Sequence, residues 1–349
     1  FQINTTSPDE IFSFQIDNSV GMYIDWGDGS NETLTDGTSL RSHQYTTPGI
    51  YEISLNGQAS RISFYEGTPA LLVDILTPMS DGLTGINSTY RMFRGCENIT
   101  SFTAEDWFNE ASSNVINMGY MFYGASSFNQ NLSDWNTSNV NNMQGMFSGA
   151  DSFNGNISSW DVSNVTTMRT MLYQTSFNQP LNSWETSSLT DTFNMFGMAS
   201  SFNQPLDNWN MSNVITIEEM FHGASSFNQD ISTWDTSSLS GGVSMRQVFY
   251  GATSFNQPLN TWNTTGVTNM WRMFRDATSF NQNLSNWDLS NVDRVQEMFY
   301  NATSFNHDIT TWNTSNIIYA NSMFRDSISF NQDISTWDMS SLSNAYEMF

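Results

Sequence analysis

The first residues whose type and spacing could support chemistry are two aspartates near the start of the chain. Asp25 and Asp28 flank Gly27 in a segment that reads as a turn, and Ca²⁺ prefers carboxylate oxygens as ligands. The segment lacks the complete acidic loop of a recognised calcium motif. The pattern therefore favours capping of the turn, and a Ca²⁺ site at Asp25 and Asp28 is the alternative.

The sequence contains no recognisable combination of residues for nucleophilic or acid–base catalysis. Cys96 is the only cysteine, and His43, His222 and His307 stand in unrelated contexts. Covalent catalysis needs a nucleophile, a base and a group that orients the base. We therefore expect no catalytic residue, no cofactor-binding residue and no metal cluster, and hence a protein that is not an enzyme. The single cysteine also excludes a disulfide framework.

Two residue types recur at a nearly constant interval. A tryptophan returns every 24 to 28 residues, at Trp135, Trp160, Trp184, Trp209, Trp234, Trp262, Trp287, Trp312 and Trp337. An asparagine keeps the same register, at Asn129, Asn154, Asn178, Asn203, Asn228, Asn256, Asn281, Asn306 and Asn331. We expect the asparagines to form a hydrogen-bonded ladder, because buried polar groups are paired. We expect the tryptophans to stack in a core or along an edge. A strip that binds carbohydrate is the alternative for both columns.

A third set of residues lies around a recurring Met-Phe pair and varies from repeat to repeat. Eight of the ten arginines are in these segments. Exposed aromatic side chains together with arginine are typical of protein interfaces. The candidate partner contacts are Tyr123, Tyr173, His222, Tyr250, Trp271, Arg275, Tyr300 and Arg325. The alternative is an ordinary solvated surface.

These columns imply a repeat of about 25 residues, and the pattern within one repeat predicts its elements. Apolar residues follow the spacing i, i+3, i+6 and i+7 at Val140, Met143, Met146 and Phe147, which is typical of one face of a helix. Gly149 follows where a helix would end, and a short extended stretch between residues 153 and 157 precedes the tryptophan. We therefore expect an α/β repeat solenoid with one short strand and one short helix per coil.

The first 68 residues have no repeat. Segments 11–16, 22–26 and 50–55 alternate apolar and polar residues as strands do. The pair Trp26-Gly-Asp-Gly-Ser30 and His43-Gln-Tyr-Thr-Thr-Pro-Gly-Ile-Tyr51 resembles the signature of polycystic-kidney-disease-type β-sandwich domains. The resemblance implies a reduced, small all-β sandwich-like module. We expect it to cover the apolar end of the first coil, since terminal coils need a cap.

The repeat itself resembles a known family. Phe227-Asn-Gln-Asp-Ile-Ser-Thr-Trp-Asp-Thr-Ser is similar to the unit of the BspA-like leucine-rich-repeat surface proteins, which reads MFxGAxSFNQDISxWDTSNVTxM. This resemblance implies a leucine-rich-repeat-like solenoid on a cell surface, with adhesion as its function and no catalytic residues. It divides the chain into a cap (1–68), one or more atypical first repeats (69–118) and the regular repeats (119–349), which we expect to continue beyond residue 349.

Composition limits the partners. The chain has 349 residues, 34 acidic and 10 basic side chains and a formal net charge of −24, which argues against nucleic acid and anionic membranes as partners. No apolar run approaches the ~20 residues of a membrane helix. We expect a secreted or cell-surface protein that acts as an adhesin or as a structural subunit of an adhesive fibre. Its expected partner is a protein or glycan on another cell or matrix, with self-association into a multi-chain appendage as a further possibility. The rival functions are a carbohydrate-binding module and an ice-binding repeat.

Overall fold

The computed structural model describes residues 1–104, 108, 114–239 and 241–349. The chain divides into two compact units, Phe1–Val165 and Thr166–Phe349. The first unit contains β1 (Gln2–Thr5), β2 (Glu10–Asp25), β3 (Asn31–Thr33), β4 (Gly37–Tyr45), β5 (Gly49–Glu52), β6 (Ser54–Gln58), β7 (Arg61–Ser63), β8 (Leu72–Asp74) and β9 (Leu83–Thr84), with a 3₁₀ turn at Pro69–Leu71. The second unit contains β10 (Val243–Ser244) and β11 (Val267–Asn269).

Two sheets form the N-terminal part of the first unit. One has the strand order β5-β1-β8, and the other has the order β3-β2-β6-β9, with β4 and β7 also paired to β2. The alternating residues Phe12, Phe14 and Ile16 on β2 are fully buried, as expected for the inner face of a strand. The ring of Phe14 packs against Trp26 with centroids 5.8 Å apart. The core of this module is therefore largely aromatic.

Strand β2 pairs with different strands along its two halves. Its first half pairs with β4 and β7, and its second half pairs with β3 and β6. The register shifts between Ile16 and Ser19, where Asn18 has a φ of 52°. Such a bulge bends a strand and increases its twist. One continuous strand thus covers the two segments, 11–16 and 22–26, that alternation marked separately.

The N-terminal strands meet the first coil within the same unit. The backbone N–H of Phe64 donates to the carbonyl oxygen of Met92 at 2.9 Å. The ring of Phe64 stacks on Phe93 with centroids 5.7 Å apart, and Phe93 stacks on Phe122 at 5.3 Å. An aromatic side chain from the module after β7 therefore covers the first ring of the stacked coils.

The predicted helix in each coil is wrong. The described residues contain no α-helix, and the segments after each Val or Leu form successive turns instead. Tyr120 shows the pattern: its N–H donates to the carbonyl of Gln144 in the next coil at 2.7 Å, whereas its carbonyl accepts from the N–H of Tyr123 at 3.2 Å. Alternate backbone groups thus bond to the neighbouring coil and to the same coil. The segment thus finds backbone hydrogen-bond partners without forming a helix.

The spacing that predicted a helix has another physical origin. Apolar residues three apart, such as Met143 and Met146, line one side of a helix, but they also line one side of a series of β-turns. The φ angles of the backbone distinguish a helix from a series of β-turns. Tyr120 has a φ of 56°, which an α-helix excludes. Equivalent positions have the same left-handed φ at Arg91, Gly145, Thr170, Asn194, Glu219, Gln247, Arg272, Glu297, Ser322 and Glu347.

The strand predicted around residues 153–157 is also misplaced. Neighbouring coils pair through parallel bridges at the second residue after each Val or Leu position. The bridges in the first unit run through Ser88, Asn117 and Asn142. Those in the second unit run through Thr167, Asp191 and Thr216 and, further along the chain, through Asn269, Arg294, Tyr319 and Asn344. β10 and β11 are the same pairing in a slightly longer form. The fold is therefore a β-type repeat and not an α/β repeat of the leucine-rich-repeat kind.

Stacked aromatic rings fill the coils. In the second unit the phenylalanine that follows each Met or Val stacks on the equivalent ring of the next coil, with centroids 5.5–5.8 Å apart and planes within 7° from Phe196 to Phe324. Each of these rings also contacts the Phe of the Phe-Asn pair, as Phe299 contacts Phe305 at 4.0 Å. Burial of aromatic area is the main source of stability in such a core.

No helix in the part of the chain that the structure describes has the length and hydrophobicity needed to cross a bilayer.

Candidate binding surface

The tryptophan column lies inside the coils. Its nine indoles are only 2–7% exposed. The indole N–H of Trp287 donates to the carbonyl oxygen of Leu259 in the preceding coil at 2.9 Å, and Trp312 donates to Leu284 at 3.0 Å. The rings of Trp312 and Trp337 stack at 6.1 Å. The indole faces are therefore covered by protein and offer no platform for a sugar.

The asparagine column forms a side-chain ladder along one edge of the coils. Asn178 Oδ1 accepts from the backbone N–H of Asn203, and Asn203 Oδ1 accepts from that of Asn228, both at 2.9 Å. The same bond joins later coils up to Asn331 and joins Asn129 to Asn154 in the first unit. Gln229 adds a bond from its Nε2 to Asn203 Oδ1 at 2.9 Å. The carboxamide oxygens are thus already used within the protein.

The two N-terminal aspartates cap turns. Asp25 Oδ1 accepts from the N–H of Gly27 at 3.0 Å, and Asp28 Oδ1 accepts from the N–H of Ser30 at 2.9 Å. Asp28 Oδ2 lies 2.7 Å from His43 Nε2. Burial opposes ionisation of Asp28, but the bonds from Ser30 and His43 outweigh it and lower its pKa to about 2. Within the described ranges no group of three or more His, Cys, Asp or Glu side chains is arranged to hold a metal.

Five of the eight candidate partner contacts form a stacked column on the surface of the second unit. Each follows the Met-Phe position of its coil. The rings of His222 and Tyr250 stack at 4.8 Å and 9°. The guanidinium of Arg275 lies 5.5 Å from the Tyr250 centroid and 4.4 Å from that of Tyr300, and Arg325 lies 5.8 Å from Tyr300. We name His222, Tyr250, Arg275, Tyr300 and Arg325 the aromatic–arginine ladder.

Carboxylates hold the arginines of this surface. Glu297 accepts two hydrogen bonds of 3.1 Å from Arg272 and forms an ion pair with Arg275. Arg246 pairs with Glu218 at 2.9 Å and with Glu219 at 3.0 Å. Burial raises the pKa of Glu219 against the opposing effect of Arg246, and burial lowers the pKa of His222. These pairs fix long side chains that would otherwise be mobile.

Two further candidates lie outside the ladder. In the first unit, Tyr123 belongs to a separate cluster in which Arg94 lies 4.5 Å from its ring and 4.3 Å from that of Tyr65. In the second unit, Tyr173 is half-buried and lies beside Gly197, which occupies the same column in the next coil. Because Gly197 has no side chain, the stack does not continue from Tyr173.

Trp271 occupies a different column from the ladder residues. It lines a surface groove of about 280 Å³ together with Asn269, Arg294, Gln296 and Tyr319. The sequence reasoning singled out Trp271 and missed the other four. A signal was available, since 269, 294 and 319 are one repeat apart, as are 271 and 296. Residues two apart on an extended segment share a face, which brings positions 269 and 271 to the same side of their coil. The repeat spacing then extends the groove over three coils.

A second cavity lies in the first unit. Its volume is about 360 Å³, and it lies between the N-terminal strands and the first coil, with Leu55, Phe64, Leu83 and Met92 in its wall. The lining is mostly apolar. The surface around the aromatic–arginine ladder differs from this cavity, because it combines aromatic rings with ion-paired charges.

Comparison with known proteins supports the repeat. The family model described as "Mycoplasma protein of unknown function, DUF285" matches residues 87–209, 190–304 and 282–349. Searches of curated proteins and of solved structures find no match to this chain. Residues 1–86 lie outside the matched segments, so their likeness to polycystic-kidney-disease-type domains stays a prediction. The three overlapping matches cover more than half of the chain, which therefore belongs to the DUF285 family of repeat proteins.

Proposed function

We propose that this protein is a non-enzymatic adhesin, or a structural subunit of an adhesive fibre, displayed on or secreted from the cell. The proposed binding surface is the aromatic–arginine ladder and the charged residues beside it. The observation that carries the proposal is the continuous stack from His222 to Arg325 across consecutive coils. Aromatic residues and arginine contribute most of the binding energy in many interfaces.

The stack is suited to binding because its side chains are ordered before a partner arrives. Arg275 is held between Tyr250 and Tyr300 and is paired with Glu297. Association costs about 0.5–1.5 kcal/mol for each flexible side chain that becomes immobile. Residues already held by stacking and ion pairs avoid much of this cost.

The charge distribution supports the same surface. The chain carries a formal charge of −24 and ten arginines, and the ladder with its neighbouring coils contains Arg272, Arg275, Arg294 and Arg325. These arginines lie beside half-buried rings and are paired with carboxylates, so the surface presents charges of both signs in fixed positions. Charge complementarity steers encounter and selects partners, so a partner with exposed hydroxyl, carbonyl or carboxylate groups fits best.

Repetition supplies a second contribution to binding. Similar positions recur in successive coils, so one extended partner, or several copies on another cell, can engage several positions together. Linked contacts can raise the overall affinity by about 10²–10⁴ without any new type of contact. An adhesin that relies on many weak contacts needs no deep single-site pocket.

The proposal is tested by localisation and by adhesion. Antibody labelling of intact cells of the producing organism is expected to detect the protein outside the cell. Beads coated with the purified chain are expected to bind cells or extracellular matrix more than albumin-coated beads do. Sedimentation velocity separates the two forms of the proposal, since a fibre subunit is expected to self-associate.

Variants connect adhesion to the ladder. Tyr300→Ala combined with Arg275→Ala is expected to reduce bead adhesion at least five-fold, because it removes the centre of the stack. Ile328→Ala is the matched control: Ile328 is exposed and apolar but belongs to no stack. Equal adhesion of both variants, or a protein found only inside intact cells, would show that the proposal is wrong.

A further inference from the structure

The groove beside the ladder has features that the adhesin proposal does not use. Its five residues, Asn269, Trp271, Arg294, Gln296 and Tyr319, come from three successive coils of the second unit and line an open groove of about 280 Å³. We name it the Trp271 groove. Two of the five are aromatic, two carry carboxamides and one carries a guanidinium. Ligand sites in proteins combine apolar walls with a few polar groups in this way.

One wall of the groove is held in place by its neighbours. The Arg272 guanidinium lies 4.4 Å from the centroid of the Trp271 ring, and Glu297 holds Arg272 with two hydrogen bonds of 3.1 Å. The backbone N–H of Trp271 donates to Asn269 Oδ1 at 2.9 Å. The indole is therefore fixed on one side by charge and at its base by a hydrogen bond.

The polar groups of the groove keep hydrogen-bonding capacity. Asn269 uses its Oδ1 for Trp271, which leaves its NH₂ group as a donor. Gln296 Oε1 is buried and accepts no hydrogen bond from the described residues, which is uncommon for a buried acceptor. The side chain of Arg294 is 53% exposed, and its guanidinium lies 5.8 Å from the centroid of the Tyr319 ring.

The charge of the groove is nearly balanced. Asp293 lies 3.5 Å from Arg294, so the only cation that lines the groove already has a counter-charge. An anionic ligand would have to compete with Asp293. A neutral ligand rich in hydroxyl groups would instead use the guanidinium and the carboxamides as hydrogen-bond partners.

We propose that the Trp271 groove binds one pyranose ring of a neutral glycan. The C–H face of a pyranose packs against an aromatic ring, while its hydroxyl groups bond to planar amide and guanidinium groups. The groove provides both chemistries, and it lies below the volume of about 300–1,000 Å³ that encloses a drug-sized ligand, so it fits a single ring. The proposal rests on the adhesin function and names the class of its ligand.

The test is saturation-transfer-difference NMR on the whole chain. The probes are methyl β-D-glucopyranoside, methyl β-D-galactopyranoside and methyl N-acetyl-β-D-glucosaminide, with N-acetylneuraminic acid as the anionic comparison. Transfer to the ring C–H protons of at least one neutral probe is expected. Trp271→Ala is expected to reduce the transfer at least five-fold, whereas Trp271→Phe is expected to keep part of it.

Tyr346→Ala is the matched control, because Tyr346 is an exposed aromatic residue at the repeat position of Trp271 and belongs neither to the Trp271 groove nor to the ladder. Circular dichroism verifies that each variant is folded. Absence of transfer to every neutral probe, equal transfer in Trp271→Ala, or transfer to the anionic probe alone would overturn the proposal. Absence of sugar binding together with normal bead adhesion would reject glycan binding by the Trp271 groove and leave the adhesin proposal intact. Sugar binding without bead adhesion would reject the adhesin proposal and leave glycan binding by the groove intact.

Discussion

Arg272 and Glu297 occupy equivalent positions in adjacent coils and are joined by two hydrogen bonds of 3.1 Å, from Nε to Oε2 and from Nη2 to Oε1. Both residues have a left-handed backbone, with φ of 57° and 53°, so their side chains leave the chain on the same surface. Glu297 also pairs with Arg275, and Arg272 lies against the Trp271 ring. The Glu297 carboxylate thus contacts one arginine of the ladder and one arginine that packs against the wall of the groove.

Neutralising that carboxylate is expected to destabilise the second unit. Glu297→Gln should lower the free energy of unfolding by about 1–3 kcal/mol, because hydrogen bonds to charged groups contribute about that amount. The measurement is urea unfolding followed by circular dichroism. Glu347→Gln is the control, since its pair with Arg325 is more exposed and should contribute less than about 1 kcal/mol. Equal losses in the two variants would contradict this account.

A glycine substitution distinguishes turns from a helix. Gln247 has a φ of 56°, and glycine adopts this conformation without the cost of about 1–2 kcal/mol that a Cβ brings. We expect Gln247→Gly to be more stable than Gln247→Ala by about 1 kcal/mol. In a helix the order would be reversed by a similar amount. The thermal midpoints of the two variants give the sign directly, and alanine being the more stable would support the helix.

The tryptophan column is expected to matter for stability and not for binding. Trp312→Phe removes a buried indole and its bond to Leu284, which should cost about 2–4 kcal/mol. Trp271→Phe, on the surface, should cost less than about 1 kcal/mol. Urea unfolding of both variants makes the comparison. A larger loss for Trp271→Phe would show that the burial of the column contributes little.

Acid is expected to weaken the N-terminal module through Asp28. Hydrogen bonds in the folded state lower its pKa from the ordinary 3.8 to about 2. Stabilisation by a carboxylate with a lowered pKa is present above its ordinary pKa and is lost as the pH falls through the folded value. Stability should therefore decline between pH of about 4 and about 2. In Asp28→Asn this part of the decline should be absent, as hydrogen exchange of β2 and β4 amides at each pH would show. Parallel profiles would refute the role of Asp28.

The secondary structure of the repeat shows where pattern reasoning failed. The residues Val140, Met143 and Met146 are all fully buried, so the apolar face was identified correctly. The secondary structure that carries this apolar face was predicted incorrectly. A spacing of three fits both a helix and a run of turns, which differ in their φ angles and in the partner of each N–H. That partner is a carbonyl about 25 residues away, as for Tyr120 and Gln144, and no local window contains it.

The candidate surface shows a similar division. Tyr250, Arg275 and Tyr300 were selected for residue type and repeat position, and the structure places the Arg275 guanidinium 5.5 Å from the centroid of the Tyr250 ring and 4.4 Å from that of Tyr300. Arg294 and Tyr319 were not among the selected residues, which were chosen close to the Met-Phe pair. In the structure these two residues form the bridge between coils, and their side chains line the Trp271 groove.

The amino-acid sequence by itself determined the register of the repeat and the residue types that meet. Units of nearly equal length place identical positions in contact, so Phe meets Phe and Asn meets Asn whatever the backbone does between them. Only the tertiary structure decided where the backbone hydrogen bonds go. An N–H can bond within its own segment or to the next coil, and the neighbouring coil becomes available only when the chain has packed. Hydrogen bonds between packed coils therefore stabilise turns and bridges in place of the helix that local spacing predicted.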